Sequence, residues 1–260
     1  MAAAFLIGVI GPEVFIVQPG FVQGLVEYMN YSEQAAGYVM ALEMFGVATT
    51  TVLLTFFSSI VNWRKALVAG LLLMFAANAA CTLTSDPLHW QILRFSAGLG
   101  AGVLISLGFA IVGLTAKPDR NFGLLIMWVL TYGALVLWLM PSAYEMGGMN
   151  AVLWFFALFP LSALPFLRYL PAGGDVQAQV EHDAIDLNGQ DRSLALGAMF
   201  AYFLAQGVVW AYLFLIGVAG GLAEQDVATA LMLSQLAGIA GAALAALVGR
   251  RFGRTAPLTV

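Results

Sequence analysis

Three ionisable residues lie within long apolar runs of the chain: Glu13, Glu43 and Arg94. A charge inside hydrocarbon is costly, so such residues face a protein interior or an aqueous cavity, pair with one another and mark ion pathways. One guanidinium can pair with one carboxylate and leave the second free to take a proton. Burial and a neighbouring cation pull a carboxyl group's proton affinity in opposite directions, and that competition suits an acid that must load and release a proton. The chemistry expected is therefore proton coupling, with Arg94 paired to Glu13 or Glu43 and the other acid titrating. The alternative is an ion pair that only fixes helix register. Buried pairs stabilise poorly against apolar replacements, which favours coupling.

A second group of residues could hold a solute. The polar side chains well inside apolar runs are Gln18, Gln23, Asn78, Gln206 and Gln235, and the aromatic ones are Trp128, Tyr132, Tyr202 and Trp210. Trp and Tyr commonly serve in interfacial belts or packing. Gln18, Gln206, Trp210 and Tyr132 are the substrate-binding candidates. No cluster of cationic residues suggests a multiply charged anion, and Arg94 could hold one carboxylate, so a small organic acid is compatible.

These residues must be positioned by membrane-spanning helices. The chain has 260 residues, 62% hydrophobic and 9% charged, whereas soluble domains carry about 25% charged residues. The expected fold class is all-α and polytopic. A net charge of −4 without a basic, aromatic-interleaved patch gives no reason to expect a nucleic-acid partner. Cys81 is the single cysteine, so no intrachain disulfide or cysteine-based metal site is expected. His89 and His182 have no partner at ligand spacing, and no metal or cofactor is implied. No Ser/His pair or acidic catalytic loop lies within the spans, which argues against an intramembrane enzyme.

A span needs about 20 apolar residues. The first is expected over residues 3–25, with bending points at Gly11-Pro12 and Gln18-Pro19-Gly20, because proline removes a backbone donor. Ser32 should cap the second, over residues 35–57. The third and fourth cover 66–83 and 88–116. The fifth, over 122–143, leads through the bend at Glu145-Met-Gly-Gly-Met-Asn150 to a sixth ending near Arg168. Residues 171–192 form a polar linker, expected to be solvated with little helix. The seventh and eighth spans follow over 193–219 and 227–248. The domain division is thus a six-helix bundle over 1–170, the linker, and two helices of an incomplete second bundle over 193–260.

Threaded this way, Arg64, Lys65, Lys117, Arg120, Arg168, Arg192, Arg250, Arg251 and Arg254 fall on one face of the membrane. The opposite loops hold Glu27, Glu33, Asp86, Glu145, Glu224 and Asp226 and no Lys or Arg. Basic loops face the cytoplasm, so a cytoplasmic N-terminus in a plasma or inner membrane is expected.

Two motifs carry a family resemblance. Arg94-Phe-Ser-Ala-Gly98-Leu-Gly100-Ala-Gly102 resembles the fourth-helix motif of the major facilitator superfamily. Gly98 and Gly102 lie one turn apart, where a neighbouring backbone can approach closely. Arg251-Phe252-Gly253-Arg254 resembles the core of the family's basic loop after the second helix of each half, with Arg250 and Ala246 in place of its Asp and leading Gly. Arg64 and Lys65 occupy the equivalent loop of the first half, where the Asp and both glycines are missing, with Ile60 and Trp63 at those places. In the family this loop helps latch the cytoplasmic side. The Gly-Pro signature of many exchangers is absent from span five, where Gly133 and Pro141 are not adjacent.

The resemblance implies two bundles that rock around a midplane site, moving a small solute by secondary active transport, with proton symport expected. The implied partners are the lipid bilayer, a small-molecule solute and protons. A full member would carry four more spans, so a missing C-terminal segment is also expected. The alternatives are multidrug efflux, or a non-transporting sensor or truncated remnant of a transporter.

Overall fold

The computed structural model describes residues 1–173 and 188–252. The first pass is three helices end to end: α1 (Ala2–Ile10), α2 (Glu13–Ile16) and α3 (Gln18–Met29). They part at Gly11-Pro12 and at Val17, just before Gln18-Pro19. The cause is local. Pro12 and Pro19 have no N–H to offer the carbonyls of Gly8 and Phe15 one turn earlier. The four-residue α2 carrying Glu13 is therefore a separate short piece between two breaks.

The next passes are α4 (Glu33–Phe57), α5 (Trp63–Cys81) and α6 (Pro87–Gly113). Each starts on a side-chain cap: Ser32 accepts from the Ala35 N–H, Asn62 from Lys65 and Asp86 from Leu88. These caps satisfy amides that a helix start leaves unpaired. The next helix, α7 (Pro118–Leu161), is interrupted at Gly147 and Gly148. Gly148 has φ +58°, a conformation that disfavours side chains, which explains a glycine at this bend. The apolar stretch Arg120–Tyr169 runs 50 residues, enough for two crossings joined at that bend. A 3₁₀ segment (Leu164–Tyr169) closes it.

Beyond residues 174–187 come α8 (Gly189–Ala219) and α9 (Glu224–Phe252). The expected linker lies largely outside the described residues. Helix α8 begins before the expected span and takes in Asp191, which sits favourably in its first turn. Among the described residues six helical stretches are long and apolar enough to cross a membrane. With the broken first pass added and Arg120–Tyr169 counted twice, the described residues make eight crossings.

The interior falls into two apolar clusters. Phe21, Trp90, Phe156 and Phe214 belong to one, towards the acidic loops. Ile10, Leu67, Leu104 and Leu125 belong to the other, towards the basic loops. Polar ties between the first six crossings and the last two gather at the acidic end. There Gln23 Nε2 donates to Glu224 Oε1 at 3.1 Å, and the Tyr28 hydroxyl lies 3.4 Å from Glu224 Oε2. Tyr212 donates to the Glu33 carbonyl at 3.2 Å and Gln225 to that of Trp138 at 3.3 Å. Toward the basic end the apolar side chains of α8, including Leu194, Phe200 and Leu204, are exposed. The halves meet at the acidic end and part toward the basic one.

Candidate functional site

The site is built on the crossing of α4 and α6. A Cβ on Gly98 would strike the Glu43 carbonyl, and one on Gly102 would come within 2.7 Å of the Val47 carbonyl. On the other flank of α6, a Cβ on Gly100 would stand 2.6 Å from the Gly70 carbonyl on α5. These glycines let three backbones meet. The approach at Gly98 brings Glu43 against α6 one turn from Arg94, and so sets which acid meets the guanidinium.

Arg94 is fully buried. Its Nη1 lies 3.8 Å from Glu43 Oε1, and its Nη2 donates to Asn78 Oδ1 at 2.6 Å. Asn78 is itself fixed, because its Nδ2 donates to the Met74 carbonyl at 2.9 Å and the Phe156 carbonyl at 3.1 Å. The guanidinium also stands 5.5 Å from the centroid of the Phe21 ring, a cation–π contact worth more in a desolvated setting.

Glu13 completes the cluster from the detached α2. It is fully buried, and neither of its carboxylate oxygens has a hydrogen-bond partner; Glu43 Oε2, Arg94 Nε and Arg94 Nη1 also lack one. Glu13, Glu43 and Asn78 line one cavity of about 200 Å³, walled by Met44, Met74 and Ile105. Buried polar groups are nearly always satisfied, so orphaned carboxylate oxygens around a cavity mark a place for protons, water or a small polar ligand. The arrangement holds two acids against one guanidinium, with room for a proton on the acid that the guanidinium does not reach. Among the described residues no group of three His, Cys, Asp or Glu side chains is placed to hold a metal ion.

The solute candidates scatter. Gln18 is buried at the start of α3, with its Oε1 unpartnered. Tyr132 on α7 stacks on Phe159 at 5.4 Å, and its buried hydroxyl has no partner. Trp128 and Tyr202 are exposed. Trp210 on α8 donates its indole N–H to the Phe15 carbonyl at 3.2 Å. Gln206, one turn earlier on α8, is exposed and is not brought to the cluster. Gln235 is buried against the bare backbone of Gly133.

The basic-loop residues lie apart from this cluster. Arg64 Nε donates to the Leu170 carbonyl, and the Trp63 N–H to that of Ala172 at 2.9 Å, so the turn after α4 is fastened to the chain beyond the 3₁₀ segment. Lys65 is exposed. Arg251 falls at the end of α9, and Gly253 and Arg254 lie outside the described residues.

Sequence reasoning missed Asn78 as the closest polar partner of Arg94. A lone Asn in the middle of an apolar helix was the available signal, since a buried amide must find partners on neighbouring helices.

Comparison with known proteins agrees with this architecture. The chain superposes on the crystal structure of a D-xylose-proton symporter with TM-score 0.71 at 17% identity, covering 96% of this chain and 68% of that one. At that identity the likeness concerns the fold. No curated protein matches by sequence. Residues 3–260 match the Major Facilitator Superfamily, and the chain belongs to that family of membrane transporters.

Proposed function

We propose that the chain moves a small solute across a plasma or inner membrane by alternating access and couples the movement to protons through Glu13. The observation that carries this reading is the unequal standing of the two buried acids. Glu43 faces Arg94, whereas Glu13 has no partner for either oxygen although it borders the same cavity. An unpaired carboxyl group in a desolvated site is the one poised to exchange a proton as its surroundings change. Its seat on a short helix between two breaks supports this role, because interrupted helices commonly line transporter sites.

Gln18 and Tyr132 are the favoured solute-facing groups, since each presents an unpartnered buried polar atom near the interrupted first pass. The basic loops support a cytoplasmic N-terminus. With that orientation the contacts at the acidic end are an outer closure.

The test is uptake into vesicles carrying the full chain. A panel of labelled monosaccharides and small monocarboxylates would be offered with and without an inward proton gradient. Gradient-driven uptake of one class, lost or made pH-insensitive in Glu13→Gln, supports the reading. If neither Glu13→Gln nor Glu43→Gln alters uptake or its pH dependence, proton coupling at this cluster is wrong.

A further inference from the structure

The contact between α8 and the broken first pass has a consequence for Glu13. In an unbroken helix the Phe15 carbonyl would accept from the amide of residue 19, but residue 19 is proline and has no N–H. The indole of Trp210, from the first helix beyond the linker region, donates to that carbonyl at 3.2 Å. Phe15 lies within the four-residue α2 that begins at Glu13. A donor on one bundle thus holds the piece of backbone that carries the unpaired acid of the other.

We infer that Trp210 is a positioning residue that keeps Glu13 turned into its cavity of about 200 Å³, and that its separation from the Phe15 carbonyl lets α2 turn and Glu13 meet bulk water. The inference rests on the proton-coupling reading above and adds how movement of the second bundle would be transmitted to the acid. Its physical content is small and local. One hydrogen bond spans the bundles at a backbone group that proline has left open. Breaking it costs the chain little, because a bond to water replaces the one lost, and a rocking motion can supply that cost. Gly11-Pro12 on one side and Val17 on the other give α2 freedom to turn once released.

The charged and titratable groups facing Glu13 are Glu43 from α4, Arg94 from α6 and Tyr132 from α7. The nearby groups contributed by α8 and α9, Trp210 and Gln235, do not titrate in the accessible range. Trp210→Phe therefore changes no charge around Glu13. It keeps an aromatic ring and removes only the indole donor and its bulk.

The proton is the probe, so no solute is needed. The purified full chain, reconstituted in phosphatidylcholine–phosphatidylglycerol vesicles, would be titrated while the carboxyl band of Glu13 is followed by infrared difference spectroscopy. The band is assigned by its loss in Glu13→Gln. In Trp210→Phe the acid should hold its proton about tenfold less tightly, a midpoint about one pH unit lower, because a hydrated carboxyl group releases its proton more readily. Amide exchange across residues 13–18 should rise in parallel. Adding Pro19→Ala, which gives the Phe15 carbonyl an in-helix donor, should return the midpoint towards that of the parent chain.

An unchanged midpoint in a folded Trp210→Phe chain overturns the role of Trp210 while leaving Glu13 as the coupling acid. A parent chain with no titrating Glu13 band overturns the coupling reading, and this inference with it.

Discussion

Gly98 lies so close to the Glu43 carbonyl that the α4–α6 crossing leaves no room for a Cβ between them. The same contact that packs the two helices selects Glu43, rather than Glu13, as the acid beside Arg94. Packing and electrostatics are therefore one feature, and a change made for one will be felt in the other.

Gly98→Ala should consequently destabilise the chain by about 1–3 kcal/mol, the usual range for overpacking a tight contact. It should also disturb the Arg94–Glu43 geometry one turn away. Gly123→Ala is the matched control. Nothing lies within 4 Å of a Cβ there, and replacing a helical glycine relieves about 0.5–1 kcal/mol of backbone entropy. Thermal melting of the two variants in the same detergent should move in opposite directions.

Arg94→Met removes the only cation from a site that keeps Glu43 and the side-chain oxygen of Asn78. Stability should fall by about 3–5 kcal/mol, the range for breaking a buried pair from one side. Adding Glu43→Gln to Arg94→Met should recover a good part of that loss, because the orphaned charge is then gone. A double variant no more stable than Arg94→Met alone would show that Glu43 is not the partner the guanidinium depends on.

Glu13→Gln is expected to behave differently. Neither oxygen of Glu13 has a protein partner, so the isosteric amide removes no hydrogen bond and should melt within about 1 kcal/mol of the parent chain, as for substitutions that break no network. A large loss of stability would point to a bond that Glu13 makes through an ordered water.

Arg64→Ala should cost little stability, about 0.5–1.5 kcal/mol for one partly exposed hydrogen bond to the Leu170 carbonyl. Proteolysis at the turn after α4 and beyond the 3₁₀ segment should quicken, because that bond and the Trp63–Ala172 bond hold the two stretches together. Lys65→Ala, which removes an exposed side chain, should leave the proteolysis rate unchanged.

Much of the fold was legible in the residues themselves. Proline and glycine at 11–12, 19–20 and 147–148 announced where helices would break, since a missing N–H or a left-handed φ cannot be accommodated inside a regular helix. Ser32 announced a helix start by its ability to cap.

The site was legible only in part. Rise per residue gives depth along a helix, but not the direction each side chain faces. That direction depends on which helices approach, here through Gly98 on α6 and the break that detaches α2. The hydrogen bond that Arg94 donates to Asn78 is a meeting of two helices, and the lone Asn in an apolar run signals that a partner is needed without saying which. Trp210 could be singled out as a polar-tipped residue within an apolar run, yet its partner, the carbonyl that Pro19 leaves without an in-helix donor, becomes visible only once α8 is packed against α2.

The most direct measurement is the pH profile of uptake in Glu13→Gln compared with Glu43→Gln, in vesicles carrying each full-length variant and the solute class that the parent chain moves. The account predicts a flat profile for Glu13→Gln and a retained, displaced one for Glu43→Gln, because the first variant removes the acid that exchanges the proton and the second only the partner of Arg94. A Glu13→Gln chain that keeps the parent's pH dependence would contradict it.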